Sequence, residues 1–250
     1  MSKNFILICC IFIFFRSTAQ QWKDIGGLKE WCPRCMYEDT NENVLYIGGS
    51  FFIADKDTAP GIVKWDGQHF SSLGCGVNWD CHTWLTPNIY GGYVNAITKY
   101  KGDIYVGGNI GFAGGIPVTG IAKWDGQQWD TIGSASKYGV VLCLKVINDE
   151  LYVGGTFDSM GGIQANSLAK WNGVSWSNVH DFPAFNPNNF NDNYVKAIEQ
   201  YKGEVYIGGN FGTYGFYDSL MDIAKFDGNS WVKVGGSMKG SLADIGNMMV

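Results

Sequence analysis

The residues of this 250-residue chain best suited to chemistry are few and dispersed. Cys32-Pro33-Arg34-Cys35 has the spacing of a redox or zinc motif. A structural zinc ion needs four ligands, however. The other close pair, Cys75 and Cys81, has a wider gap and only His82 beside it. His69 sits at an Asp-Gly turn, His82 and His180 lie in irregular stretches, and none stands in a triad or zinc pattern. The acidic pairs Asp55/Asp57 and Asp218/Asp222 have the residue type for glycoside hydrolysis, which sets two carboxyl groups across the scissile bond. Both occupy variable segments, where a solvated carboxylate is the simpler reading. The run Asn109 to Gly115 resembles a phosphate loop, but a strand follows it instead of a helix, and no Gly-Lys-Ser/Thr is present.

Two segments mix rings with amides and carboxylates. Residues 75–92 carry Trp79, Asp80, His82, Trp84 and Tyr90, and residues 180–193 carry Phe182, Phe185, Asn189, Phe190, Asn191 and Asp192. Rings stack on the apolar faces of sugars while amide and carboxylate groups satisfy hydroxyls, so a glycan or polar peptide is the expected ligand. The candidate binding residues are Trp79, Asp80, Trp84, Tyr90, Phe185, Asn189, Phe190 and Asp192. The plainer alternative is that the rings cover the loops' own undersides and the asparagines serve turns. Asp181, Asn191 and Asp192 offer oxygen ligands to calcium without EF-hand spacing. No catalytic residue, metal ligand or cofactor is assigned.

Composition narrows the partners. With 18 basic against 23 acidic residues the net charge is -5, and no basic patch appears, which argues against nucleic acid. The 35 glycines and 15% aromatic content fit tightly turned β-structure with large rings in its core. Residues 1–19 read as an export signal: Lys3, an apolar stretch from Phe5 to Phe15 too short to span a bilayer, and Ser17-Thr18-Ala19 before Gln20. The expected protein is therefore secreted or held at the cell surface, with no transmembrane segment after signal removal. Export favours disulfides. Cys32, Cys35, Cys75, Cys81 and Cys143 then remain, an odd number, and Cys75 to Cys81 closes the shortest loop.

The organisation of the chain is clearer than its chemistry. Short apolar runs end in paired glycines at Leu45–Gly49, Ile104–Gly108, Leu151–Gly155 and Val205–Gly209. Each is followed by a Lys-aromatic-Asp/Asn-Gly turn, at Lys64–Gly67, Lys123–Gly126, Lys170–Gly173 and Lys225–Gly228. A period of roughly 50 residues indicates a solenoid or propeller. Alignment on the glycines gives four strands per repeat, in the second repeat Tyr93–Tyr100, Asp103–Asn109, Gly120–Trp124 and Gln127–Ile132. Asp-Gly and Asn-Gly suit a two-residue type I′ turn, which pairs residue 124 with 127 and makes Trp124 and Trp129 diagonal neighbours on one face. The equivalents are Trp65/Phe70, Trp171/Trp176 and Phe226/Trp231, and they read as packing between sheets. A glycine pair inside a strand implies close approach of a backbone or a bulky ring. Cys35, Ala96, Cys143 and Ala197 share a small-residue slot on the first strand, and the repeated lysines point away from the rings, solvated or snorkelling.

These motifs resemble the kelch and galactose-oxidase-like β-propeller repeat. Tyr152 to Phe157, Gly161-Gly162, Asn166 and Leu168 to Trp176 are similar to secreted bacterial propellers often exported by type IX secretion. The departures are Phe226 for the usual Trp, a longer turn before Leu45, and disrupted glycine positions in the first and fourth repeats. The resemblance implies an all-β propeller of four-stranded antiparallel blades over residues 20–250. An orphan strand at 21–28 precedes blades at about 31–74, 93–133, 139–179 and 193–235, and a further blade starts at 240–250. It also implies a fragment of a longer propeller and a C-terminal sorting domain beyond it. Galactose-oxidase chemistry would need copper ligands that these motifs do not supply. In a propeller, connections from a fourth to the next first strand share a face with those between second and third strands, which puts segments 75–92 and 180–193 together. The expectation is a non-catalytic binding or adhesion scaffold for glycan or protein, with a carbohydrate-active enzyme as the alternative.

Overall fold

The computed structural model describes residues 28–29, 32–54, 57–77, 92–179, 194–210 and 222–235; among them every regular element is a β-strand. Sixteen of the strands form four antiparallel sheets of four, each built in chain order. The first sheet comprises Pro33–Asp39, Val44–Gly49, Ile62–Trp65 and Phe70–Ser72. The second comprises Tyr93–Tyr100, Asp103–Asn109, Ile121–Trp124 and Trp129–Asp130. Val141–Ile147, Glu150–Gly155, Leu168–Trp171 and Trp176–Asn178 make the third. The fourth is Tyr194–Tyr201, Glu204–Asn210, Asp222–Phe226 and Trp231–Lys233. The all-β expectation and the four-stranded antiparallel sheets are thus observed.

Consecutive sheets share cores, and their first strands are neighbours. Val44, Tyr46 and Ile62 of the first sheet bury against Val94, Ile97 and Val106 of the second. Tyr105 and Ile121 of the second meet Val141, Leu151 and Val153 of the third, and Ile147 and Leu168 meet Val195, Ile198 and Ile207 of the fourth. Each such aliphatic side chain, fully buried, contributes about 1.5–3 kcal/mol.

The glycine pairs explain how the sheets approach. Every first strand carries a β-bulge opposite its pair, between Pro33 and Cys35, Val94 and Ala96, Val141 and Cys143, and Val195 and Ala197. The bulge pushes a backbone carbonyl towards the second glycine: a Cβ at Gly49, Gly108, Gly155 or Gly209 would collide with the carbonyl oxygen of Cys32, Tyr93, Val140 or Tyr194. The first glycine instead receives a valine from the next sheet. A Cβ on Gly48 would lie 2.7 Å from Val94 Cγ1, and one on Gly154 would lie 2.7 Å from Val195 Cγ1. Close backbone approach was expected; the bulky group at the first glycine is a β-branched side chain and not a ring.

The Asp-Gly turns differ from expectation. Trp124 pairs directly with Trp129, across a four-residue loop closed by the Asp125 N–H donating to Gln128 O. Asp125 Oδ1 accepts from the N–H groups of Gln127 and Gln128, both at 2.8 Å, and Asp66, Asn172 and Asp227 do the same in their loops. These side-chain bonds replace the two-residue turn. Type I′ geometry, with positive φ at both central residues, occurs elsewhere: at Lys101-Gly102, Asn148-Asp149 and Lys202-Gly203 between first and second strands, and at Gly114-Gly115 and Gly161-Gly162. The paired rings do meet, with centroids 4.5–5.4 Å apart in all four sheets.

Candidate functional site

All eight sequence-nominated binding residues, Trp79, Asp80, Trp84 and Tyr90 in 78–91 and Phe185, Asn189, Phe190 and Asp192 in 180–193, lie outside the described residues. The described chain defines the rim from which those segments depart and to which they return. In sequence, residues 78–91 lie between Val77 and Gly92, before the strand that begins at Tyr93, and 180–193 lie between Val179 and the strand that begins at Tyr194.

The bulges lie on this rim, within three residues of the start of each first strand. Each inserts one residue that has no ladder partner: Arg34, Asn95, Leu142 and Lys196. A bulge re-aims its extra side chain. Two of these reach the following sheet. The Arg34 guanidinium lies 3.9 Å from the centroid of the Tyr93 ring, and Asn95 Nδ2 donates to Val141 O at 3.0 Å. Arg34 is exposed, and Asn95, Leu142 and Lys196 are half-buried. The backbone geometry repeats four times, while the side chain delivered is cationic, amide, aliphatic and cationic in turn. Sequence reading passed over these positions because a bulge leaves no motif; the misfit of alternation against the glycine pair is the only signal.

The same end of the sheets is locked by a second repeated device. Short hairpins, Ile53–Ala54 with Asp57–Thr58, Phe112–Ala113 with Ile116–Pro117 and Ser159–Met160 with Ile163–Gln164, separate second from third strands. Each pairs with the chain arriving from the preceding unit, through Leu28 to Ala54, Val77 to Ala113 and Ala135 to Met160. Tryptophan adds to the clasp. Trp129 Nε1 donates to Leu73 O at 2.7 Å and Trp176 Nε1 to Ile132 O at 2.5 Å, each reaching into the connection before its sheet. The run Asn109 to Gly115 ends in one of these hairpins, which accounts for its glycines.

The repeated lysines, partly exposed, are each ion-paired. Lys123 meets Asp103 at 3.3 Å, Lys170 meets Glu150 at 2.8 Å, Lys225 meets Glu204 at 2.7 Å, and Lys64 meets Glu42 at 3.3 Å. The overlooked signal is an acidic residue two positions before the tyrosine of the second strand in the second, third and fourth sheets, at 103, 150 and 204; in the first sheet that position is Val44 and Glu42 takes the role. Between sheets, Lys99 binds the buried Asp39 at 2.6 Å and Glu42 at 2.8 Å, and Lys145 binds Glu199 at 2.6 Å. The Lys99 ammonium hydrogen bond holds the Asp39 carboxyl below its usual range.

Cys35 and Cys143 occupy the small-residue slot opposite Gly48 and Gly154, and each thiol points at the carbonyl of the next sheet's bulge valine, Val94 or Val195. Burial pushes the Cys35 thiol up to about 12 and the Cys143 thiol higher still, which disfavours the reactive thiolate at both. Cys32, Cys35 and Cys143 are free, whereas Cys75 is disulfide-bonded. Cys81 lies outside the described residues. Among the described residues no three His, Cys, Asp or Glu side chains converge as a metal site requires, and no helix is long and apolar enough to cross a membrane.

No family model matches the chain, and no curated protein matches it. Among solved structures it is similar to the extracellular domain of a protein described as a one-component system from B. thetaiotaomicron, with 11% identity and a TM-score of 0.50 over 87% of this chain. The chain spans 24% of the length of that structure. At this identity the likeness concerns the fold of the stacked sheets.

Proposed function

We propose that the chain is part of a secreted or cell-surface β-propeller of the kelch or galactose-oxidase-like kind, acting as a non-catalytic scaffold that binds glycan or protein on the face of its long connections. In this reading residues 1–19 are the export signal, the four sheets are blades, and type IX secretion is the route. The rim carries the reading: one backbone frame, repeated four times, presents a cation, an amide, an aliphatic chain and a second cation in turn, and the ring-rich segments 78–91 and 180–193 precede two of its four first strands. A frame held constant while its projecting residues vary suits recognition better than packing. The extracellular character of the similar domain from B. thetaiotaomicron agrees with this assignment. Cys75 pairs with Cys81, closing the base of the first long connection.

The test is a glycan-array screen of the whole chain beside its Trp79→Ala, Trp84→Ala, Phe185→Ala and Phe190→Ala variants. Binding that these changes abolish supports the scaffold. Binding indifferent to all four, or no binding, removes the glycan site, and turnover of a bound glycan would replace the scaffold with an enzyme.

A further inference from the structure

The rim cations lack the compensation that other strand cations have. Among described side chains on the sheet strands, Lys64, Lys99, Lys123, Lys145, Lys170 and Lys225 all pair with carboxylates. Arg34 and Lys196 have no carboxylate partner among the described residues, and both occupy bulge positions. In a chain of net charge -5, where the other described strand cations have carboxylate partners, two cations at equivalent bulge positions with no such partner among the described residues offer positive charge to a ligand. The exposed Arg34 guanidinium lies 3.9 Å from the Tyr93 ring centroid, and a guanidinium can receive a carboxylate through two parallel hydrogen bonds. Asn95 and Leu142 lie on the two first strands between those of the cations, and the half-buried Tyr93 and Tyr194 begin the first strands of the second and fourth sheets.

We propose that this arc binds a carboxylate-bearing glycan, a chain of uronic acid residues, with Arg34 and Lys196 each engaging a sugar carboxylate and the two tyrosine rings meeting apolar sugar faces. The proposal rests on the glycan reading above and names the ligand class. Charge selects the acid, and the Tyr93 ring beside Arg34, with Tyr194 at the matching strand start, selects a sugar over an extended acidic peptide.

The experiment measures binding of polygalacturonate, its fully methyl-esterified form and polyglutamate to the whole chain and to its Arg34→Gln, Lys196→Met and Lys196→Arg variants, each checked for an unchanged thermal transition. The expected result is binding of polygalacturonate at least tenfold tighter than its ester and weakened by added salt. It should fall at least tenfold in Arg34→Gln and Lys196→Met and be retained in Lys196→Arg. Equal affinity for acid and ester overturns the inference while leaving a neutral-glycan scaffold standing, and so does indifference to both charge-removing variants. Binding of polyglutamate in preference to polygalacturonate replaces the glycan with an acidic peptide. Failure to bind any of the three overturns the inference, and the glycan array then decides the broader reading separately.

Discussion

Replacing Gly107 by alanine tests the claim that the glycine pairs set the distance between sheets. A Cβ there falls inside contact distance of Val141 Cγ1 and 3.0 Å from Val141 Cβ, and Val141 is fully buried. Overpacking of this kind costs about 1–3 kcal/mol. For a chain of this size the thermal midpoint should drop by about 2–4 °C per kcal/mol. Val141→Ala alone removes two buried methyl groups and should cost about 2–3 kcal/mol, combining transfer with a residual cavity. The double variant places the new methyl in the space the valine vacates. Its loss should therefore be at least about 1 kcal/mol smaller than the sum of the two single losses, a coupling expected of groups in contact. Gly111→Ala is the control: its Cβ meets nothing within 4 Å, so stability should hold or rise slightly. Urea denaturation at constant slope is the assay. Additivity within about 0.5 kcal/mol, or equal effects of Gly107→Ala and Gly111→Ala, would refute the reasoning.

Three further outcomes are expected. Asp39→Asn should lose about 1–3 kcal/mol at neutral pH by unpairing Lys99. Because the Asp39 carboxyl is held low in the folded state, its contribution is present above the ordinary carboxylate pKa and lost as pH falls through the depressed value, so wild type and variant should converge on acidification; a difference that persists at low pH would contradict this. Trp129→Phe should cost about 1–3 kcal/mol in urea denaturation by stranding the Leu73 carbonyl, and a neutral result would make that bond dispensable. In native protein at pH 8 a thiol reagent should label the exposed Cys32, with Cys35 and Cys143 reacting only after unfolding. A non-reducing digest of the same sample should yield Cys75 linked to Cys81, and rapid native labelling of Cys143 would show the slot to be open.

Much of the architecture was legible because it repeats. Tyr93–Tyr100 and Asp103–Asn109 appear where the alignment sets them, and the aromatic pairs face each other. The slot shared by Cys35, Ala96, Cys143 and Ala197 also appears, opposite the first glycine of each pair. Turn register was misread at Asp125, since dipeptide preference describes backbone φ but not the two bonds a carboxylate can make to the N–H groups that follow it. The lysine partners were missed because Lys123 and Asp103 are far apart in sequence and meet only across paired strands. The rim was illegible for a related reason. Arg34, Asn95, Leu142 and Lys196 share a position in space but no residue type, and a search for recurring letters discards such a column.

The β-bulge also bears on how freely such a protein could change. A residue that takes part in no ladder and fills no core can be exchanged at little thermodynamic cost, since surface substitutions generally alter stability by less than about 0.5 kcal/mol. Gly107, Val141 and their counterparts absorb the geometric constraint and leave Arg34, Asn95, Leu142 and Lys196 outside the ladders; an exchange at Asn95 gives up its bond to Val141 O and one at Arg34 its stacking on Tyr93, while Leu142 and Lys196 carry no such bond among the described residues. Specificity could then drift or be engineered one letter at a time, with foldability left behind in the glycines.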